Sequence, residues 1–156
     1  MQNEIIRVTK EFTFDMAHAL LNYDGPCENI HGHTYRLQIT VAGYANQNPQ
    51  DPQCGMLIDF TRLKNLVVEK VINEYDHSLV LNEALPASLR ACCFAITEKV
   101  RFVPFQPTCE NLLLDIKSKL YESLAIDGYM LQEVRLYETP TAWAEWKKED
   151  QQKSFQ

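Results

Sequence analysis

The sequence predicts an α+β fold in which helices pack on one face of an antiparallel sheet. Three observations lead there. Between residues 31 and 45, His31, His33, Tyr35, Leu37, Ile39 and Val41 fall on one side of an extended segment, and Gly32, Thr34, Arg36, Gln38 and Thr40 on the other. That is the period-two pattern of a half-buried strand. Two later segments carry apolar residues at helical spacing instead: Leu63, Leu66, Val67, Val71 and Ile72, then Leu112, Leu113, Ile116, Leu120 and Leu124. The resulting order is strand, strand, helix, helix, strand, with an added strand near Lys99, which suits helices on one face of a sheet.

Taken in order, the first strand runs from about Ile5 to His18, with Phe12, Phe14, Met16 and His18 on one face. Residues 20–30 hold Asn22, Asp24, Gly25, Pro26 and Asn29 and read as a loop. The second strand begins at His31. A polar turn region, 46–55, precedes Met56-Leu57-Ile58, and Asp59 is placed to cap the first long helix. Tyr75 to Asn82 reads as a loop carrying Asp76 and His77. Pro86 opens a short helix, residues 99–105 read as a short strand, and Thr108 caps the second long helix, which Gly128 ends. In the last strand, Met130, Val134 and Leu136 point one way with Glu138 in register. Four strands leave two open edges, through which a sheet can continue into other subunits.

The 156 residues fit one domain, taken as 1–146, with a polar tail at 147–156 that is expected to be disordered. A net charge of −6 argues against a nucleic-acid footprint. The N-terminal MQNEIIRVTKEF has no signal-peptide core and no apolar run approaches a membrane span, so a cytoplasmic protein is expected. No GxGxxG or P-loop is present for a nucleotide cofactor. The five cysteines form no CxxC pair. Cys92 and Cys93 are expected to be packing residues, whereas Cys27 lies in a loop four residues before His31.

The chemistry concentrates in one stretch. Three of the four histidines are His18, His31 and His33. On a strand His31 and His33 point the same way, and His18 arrives from a neighbouring strand, so three nitrogens can converge on a zinc ion with a fourth position open. The plain alternative is a surface strand end with no metal. Asp76-His77 is either a base with its carboxylate or a histidine at a helix C-terminus. A Cys27–His77 pair would yield a thiolate, able to act as nucleophile or base. Glu138 is either a solvated strand end or an acceptor for paired N–H donors such as a pterin edge. Glu110 reads most simply as favourable placement in a helix's first turn.

Six segments carry a resemblance when taken together: FDMAH (14–18), CENIHGHTY (27–35), MLIDF (56–60), DHSLVLN (76–82), PTCENL (107–112) and VRLYET (134–139). They resemble the 6-pyruvoyl-tetrahydropterin synthase superfamily. The three residues between Cys27 and His31 are similar to its bacterial branch, the 6-carboxy-tetrahydropterin synthases of queuosine biosynthesis. The resemblance implies a tunnelling fold (T-fold), in which subunits join sheets into a barrel with active sites between them. A homohexamer, a dimer of trimers, is the assembly it implies. It implies zinc on His18, His31 and His33. Cys27 would be the base, with Asp76 and His77 as relay. Glu138 would be the pterin anchor, sometimes counted in the relay, and Glu110 and Thr108 would lie near the pterin pocket. The implied reaction turns 7,8-dihydroneopterin triphosphate into 6-carboxy-5,6,7,8-tetrahydropterin, acetaldehyde and triphosphate. Pyruvoyl synthesis, or a folate-type side-chain cleavage using Glu28, is the alternative; a zinc-containing pterin-binding protein without catalysis is a third. Residues 83–106 form a longer segment than in the most compact members.

Overall fold

A computed structural model describes residues 4–152. Its six strands are β1 (Ile6–His18), β2 (His31–Gly43), β3 (Ser78–Asn82), β4 (Val100–Val103), β5 (Met130–Thr139) and β6 (Ala142–Lys147). They form one sheet in the order β4-β3-β1-β2-β5-β6. The β1–β2 ladder is antiparallel and unbroken from Ile6–Gly43 to His18–His31. Gly32 permits this closeness at the end that matters: a Cβ there would lie 3.2 Å from the Met16 carbonyl oxygen.

The expectation of an antiparallel sheet is corrected. The sheet is mixed, because β3 and β4 run parallel to β1. The segment expected as a loop after Tyr75 holds a five-residue strand, Ser78–Asn82, buried through Leu81 on both faces. It therefore shows no alternation to read. The helical connection after β2 carries the chain across to the far side of β1, where β3 runs parallel to β1 and antiparallel to β2. β6 is a further strand beyond those expected; Trp146 is buried and Trp143 exposed on it, next to a charged segment. The expected polar tail begins at the end of β6, then makes a 3₁₀ turn at Lys148–Gln152. Residues 1–3 and 153–156 lie outside the described residues.

A bulge corrects the register of β5. Thr40 pairs with Glu133 but Val41 pairs with Leu131, so Gln132 is the extra residue. Leu131, not Met130, therefore joins Val134 and Leu136 in the core.

The two long helices cover one face, as expected. The first rod is α1 (Phe60–Val67), a π-helical turn (Val68–Ile72) and α2 (Asn73–Tyr75). The second is α4 (Cys109–Ile126), and a short α3 (Ala87–Cys93) lies between them in sequence. Leu63, Val67 and Val71 of the first rod meet Leu112, Ile116 and Leu120 of α4 over Tyr35, Leu37, Ile39 and Val134. Leu79, Leu81 and Cys93 form a smaller cluster with Ala17, Val100 and Phe102 on the other face. Cys92, expected to pack, is exposed, while Cys93 is buried. No described helix is long and apolar enough to cross a membrane.

Both expected caps form. Asp59 accepts from the Thr61 N–H at 2.6 Å, and Thr108 from the Asn111 N–H at 3.4 Å. Gly128, at φ +80°, closes α4 by donating to Ala125. Asp59→Ala is expected to lower stability by about 1 kcal/mol, the usual value of an N-cap, measured by urea unfolding.

Candidate metal centre

The β1–β2 register sets His18 directly across from His31, and Met16 across from His33. Alternation carries all three imidazoles to the face that holds Phe14, Tyr35 and the long helices. His18 is buried at 2% exposure; His31 and His33 are half-buried. One ring nitrogen from each lies within 4.8 Å of the others.

Two backbone carbonyls orient this group. His18 Nδ1 donates to the Pro107 oxygen at 2.7 Å, and His31 Nδ1 to the Asn29 oxygen at 2.8 Å. A carbonyl only accepts, so each Nδ1 carries the proton and each Nε2 presents a lone pair. Those two Nε2 atoms are 3.2 Å apart. Two imidazoles in this tautomer bring two lone pairs together, and a cation between them satisfies both. Ligands of a tetrahedral zinc at its usual bond length stand about 3.3 Å apart, so the spacing fits. Burial lowers the His18 pKa, against the opposing pull of the Pro107 bond, which keeps its ring neutral and available as a ligand.

Glu138 stands beside this centre. Its Oε1 is 3.7 Å from His18 Nε2 and accepts from the Tyr35 hydroxyl at 3.3 Å. Burial first, then the charge of Glu138, pushes the Tyr35 pKa up, so the phenol stays a donor. Thr108 and Glu110 follow directly after Pro107, so the start of α4 is tied to the same histidine; Glu110 is exposed there. Cys27 lies half-buried in the 3₁₀ turn Pro26–Glu28, close enough to add to the electrostatic field on Tyr35. By contrast, Cys109 is buried, donates to the Leu136 carbonyl and has its pKa pushed up to about 11 by burial. It is a packing thiol. Glu28 is exposed and lines a separate cavity with Leu20, Leu81 and Leu85.

Asp76 and His77 form a second constellation. His77 Nδ1 is 2.9 Å from Asp76 Oδ1, and the Asp15 N–H donates to the same oxygen at 3.0 Å. The His77 N–H in turn donates to the Asp15 carbonyl, which holds His77 at φ +57°. Burial opposes ionisation of Asp76, but the Asp15 N–H, His77 and Lys99 outweigh it and hold its pKa below the ordinary value. The His77 ring is 75% exposed, and it lines a cavity of about 570 Å³ with Asp15, Ala17, Thr34 and Ile96. Among the described residues no hydrogen bond or ion pair joins it to Cys27. The expected Cys27–His77 pair is therefore not made by hydrogen bonding within one chain.

Sequence reasoning missed four participants: the carbonyls of Asn29 and Pro107, the Tyr35 hydroxyl, and Asp15. Tyr35 was legible, since it continues the face of His31 and His33. The Pro107 contact spans 89 positions and leaves no local pattern.

Comparisons with known proteins agree with this architecture. The family model described as 6-pyruvoyl tetrahydropterin synthase matches residues 7–149. A 6-carboxy-5,6,7,8-tetrahydropterin synthase of Haemophilus influenzae is 33% identical, over 92% of this chain and 99% of its own. One of the same name from Rickettsia typhi is 30% identical, over 90% and 99%. Among solved structures, an uncharacterized protein of Wolinella succinogenes superposes with a TM-score of 0.75 at 17% identity, covering 93% of this chain and 99% of its own. The 6-pyruvoyl tetrahydropterin synthase of Caenorhabditis elegans gives 0.66 at 23% identity, with 94% and 99% covered. Those two likenesses concern the fold. With the family model spanning nearly the whole chain and the histidine triad assembled on β1 and β2, the chain belongs to the 6-pyruvoyl tetrahydropterin synthase family.

Proposed function

We propose that this chain is a zinc-dependent carbon–carbon lyase that converts 7,8-dihydroneopterin triphosphate and water into 6-carboxy-5,6,7,8-tetrahydropterin, acetaldehyde and triphosphate. The observation that carries the reading is the donor set, His18 and His31 turning unprotonated Nε2 atoms toward one point with His33 beside them. Relatives named for this product, 33% and 30% identical over 99% of their own length, support the product class, and the substrate follows from the resemblance. A zinc ion on His18, His31 and His33 would supply Lewis-acid polarisation of the substrate's side-chain oxygens.

The chain's own residues do the rest. Cys27, half-buried in its turn, is the base that takes a proton from the side-chain carbon when it is thiolate. Asp76 accepts from His77 Nδ1, which leaves Nε2 of that exposed ring to exchange protons with Cys27. The sequence reading gives Glu138 two roles, ring anchor and relay member. Its place 3.7 Å from His18 Nε2 favours the second. A pterin gripped there by its amidine edge would have its reacting side chain a full ring length away from the three histidines. Glu110 and Thr108, at the start of the helix tied to His18, are the better grip for that edge.

The lack of a hydrogen bond between Cys27 and His77 among the described residues supports an oligomer in which one chain's Asp76–His77 completes the site of another. The sheet ends at β4 and β6, with no strand on their outer sides among the described residues. Edges of this kind invite pairing between subunits, and we propose a hexamer built from two trimers. Two other readings have less support. Glu28, which a folate-type cleavage would use, faces a cavity that shares no lining residue with the one holding His33 and Glu138. A pterin carrier without catalysis would have no use for Cys27 or for the oriented Asp76–His77 pair.

Incubation of the purified, zinc-loaded protein with 7,8-dihydroneopterin triphosphate is expected to give the 6-carboxy product and acetaldehyde by mass spectrometry. A pyruvoyl product would move the chain to the other branch. Cys27→Ala should retain zinc and lose about 10²–10⁴-fold in rate, the usual worth of a positioned base, while Cys92→Ala stays near wild type. Co-assembly of inactive Cys27→Ala and His77→Ala subunits should restore part of the activity, since some sites then draw each residue from an intact chain. No recovery in mixed oligomers of confirmed composition would contradict the shared site.

A further inference from the structure

A cavity of about 700 Å³ opens where the β2–β5 ladder stops. The last pair of that ladder is Arg36–Tyr137. Beyond it β2 continues to His31 alongside β1 alone among the described strands. The cavity draws its lining from both faces of β2, His33 from one, Thr34 and Arg36 from the other. Glu138 also lines it, so the metal-facing end of the site and this opening are one continuous space.

Arg36 is the only lysine or arginine in that lining. Its guanidinium carbon lies 3.9 Å from the centre of the Tyr137 ring. Stacking of this kind fixes the plane of the group while leaving its edge N–H donors free. The one ion pair it makes is long, Nε to Glu11 at 3.9 Å, and its terminal nitrogens have no hydrogen-bond partner among the described residues. Thr13 is its direct cross-strand neighbour, and the Thr13 hydroxyl likewise has no partner among them. The surroundings are otherwise unfavourable to an anion: Glu138 shares the cavity, Glu11 borders it, and the chain carries a net charge of −6. Away from the three histidines that would hold zinc, phosphate charge would be stabilised in this cavity at the edge of Arg36, where a planar fork suits two oxygens at once.

We propose that Arg36, assisted by the Thr13 hydroxyl, is the phosphate subsite of this cavity and holds the phosphate chain of a pterin polyphosphate. The assignment rests on the proposed function. It also gives the site an order. The ring edge lies toward Glu110 at the start of α4, the reacting carbons at the three histidines and Glu138, and the phosphates beyond them at Arg36. Loss of a charge-assisted contact of this type costs about tenfold to a hundredfold in affinity.

The test measures equilibrium binding to the zinc-loaded, assembled protein, in a Cys27→Ala background so that no turnover intervenes. The ligands are 7,8-dihydroneopterin triphosphate, 7,8-dihydroneopterin and inorganic triphosphate. Arg36→Gln should weaken the two phosphate ligands about tenfold or more and leave 7,8-dihydroneopterin within about twofold. Arg36→Lys, which keeps the charge but loses the fork, should fall between. Circular dichroism and zinc content guard against a folding defect; if Arg36→Gln fails these controls, the Arg36→Lys and Thr13→Val variants decide by the same selectivity. Equal loss for all three ligands, or none, would overturn the subsite while leaving the proposed function standing. Should the protein bind neither pterin, the proposed function fails, and inorganic triphosphate alone then judges Arg36: binding that survives Arg36→Gln overturns it.

Discussion

The register between β1 and β2 is the constraint on which the rest depends. Thirteen cross-strand pairs, from Ile6–Gly43 to His18–His31, run without a bulge. Slipping such a ladder by one residue would send every side chain of a strand to the opposite face. Here the same slip would turn Phe14 and Met16 out of the core and turn His18 away from His31. Core and site therefore share one row of side chains: Phe14 stacks on Tyr35 at 5.3 Å, and the row continues into the histidines. Burial of that row under α1 and α4 fixes the register far more strongly than the histidines could. The energy that positions the donors thus comes from the core.

Register places the rings but does not choose which nitrogen faces inward. The carbonyls of Pro107 and Asn29 make that choice by accepting from Nδ1. Each bond contributes only about 1 kcal/mol net to stability, yet it decides the tautomer and hence whether a lone pair is presented. Pro107 matters twice over, because Thr108 and Cys109 begin α4 immediately after it. The helix cannot shift along the sheet without losing the His18 bond. Asp15 plays the corresponding part for Asp76 and His77, through its own N–H and carbonyl.

What the sequence made legible followed from local periodicity. The two long strands, the two long helices and their caps at Asp59 and Thr108 all carry a repeat or a capping residue. Buried elements without a repeat stayed hidden. Ser78–Asn82 is buried through Leu81 on both faces and shows no alternation, so it reads as an extension of the loop around His77 and the parallel pairing with β1 leaves no sequence signal. Gln132 breaks the alternation of β5 by one residue, which misplaced Met130. The three histidines were legible because two sit on one strand at period two. The bond from His18 to Pro107 was not, since nothing near either residue announces a partner 89 positions away. Nor could spacing reveal that Cys27 and His77 make no hydrogen bond within a single chain.

The proposed function divides the labour: three imidazoles would hold the metal, and Cys27 would stay free to act as the base. X-ray absorption spectroscopy at the zinc edge, on the zinc-loaded protein, tests this most directly. The account predicts a first shell of nitrogen and oxygen only, at about 2.0–2.1 Å, with imidazole scattering from three rings and loss of that signal in a His31→Ala/His33→Ala variant. A sulfur scatterer at about 2.3 Å would make Cys27 a ligand rather than a base and contradict the account.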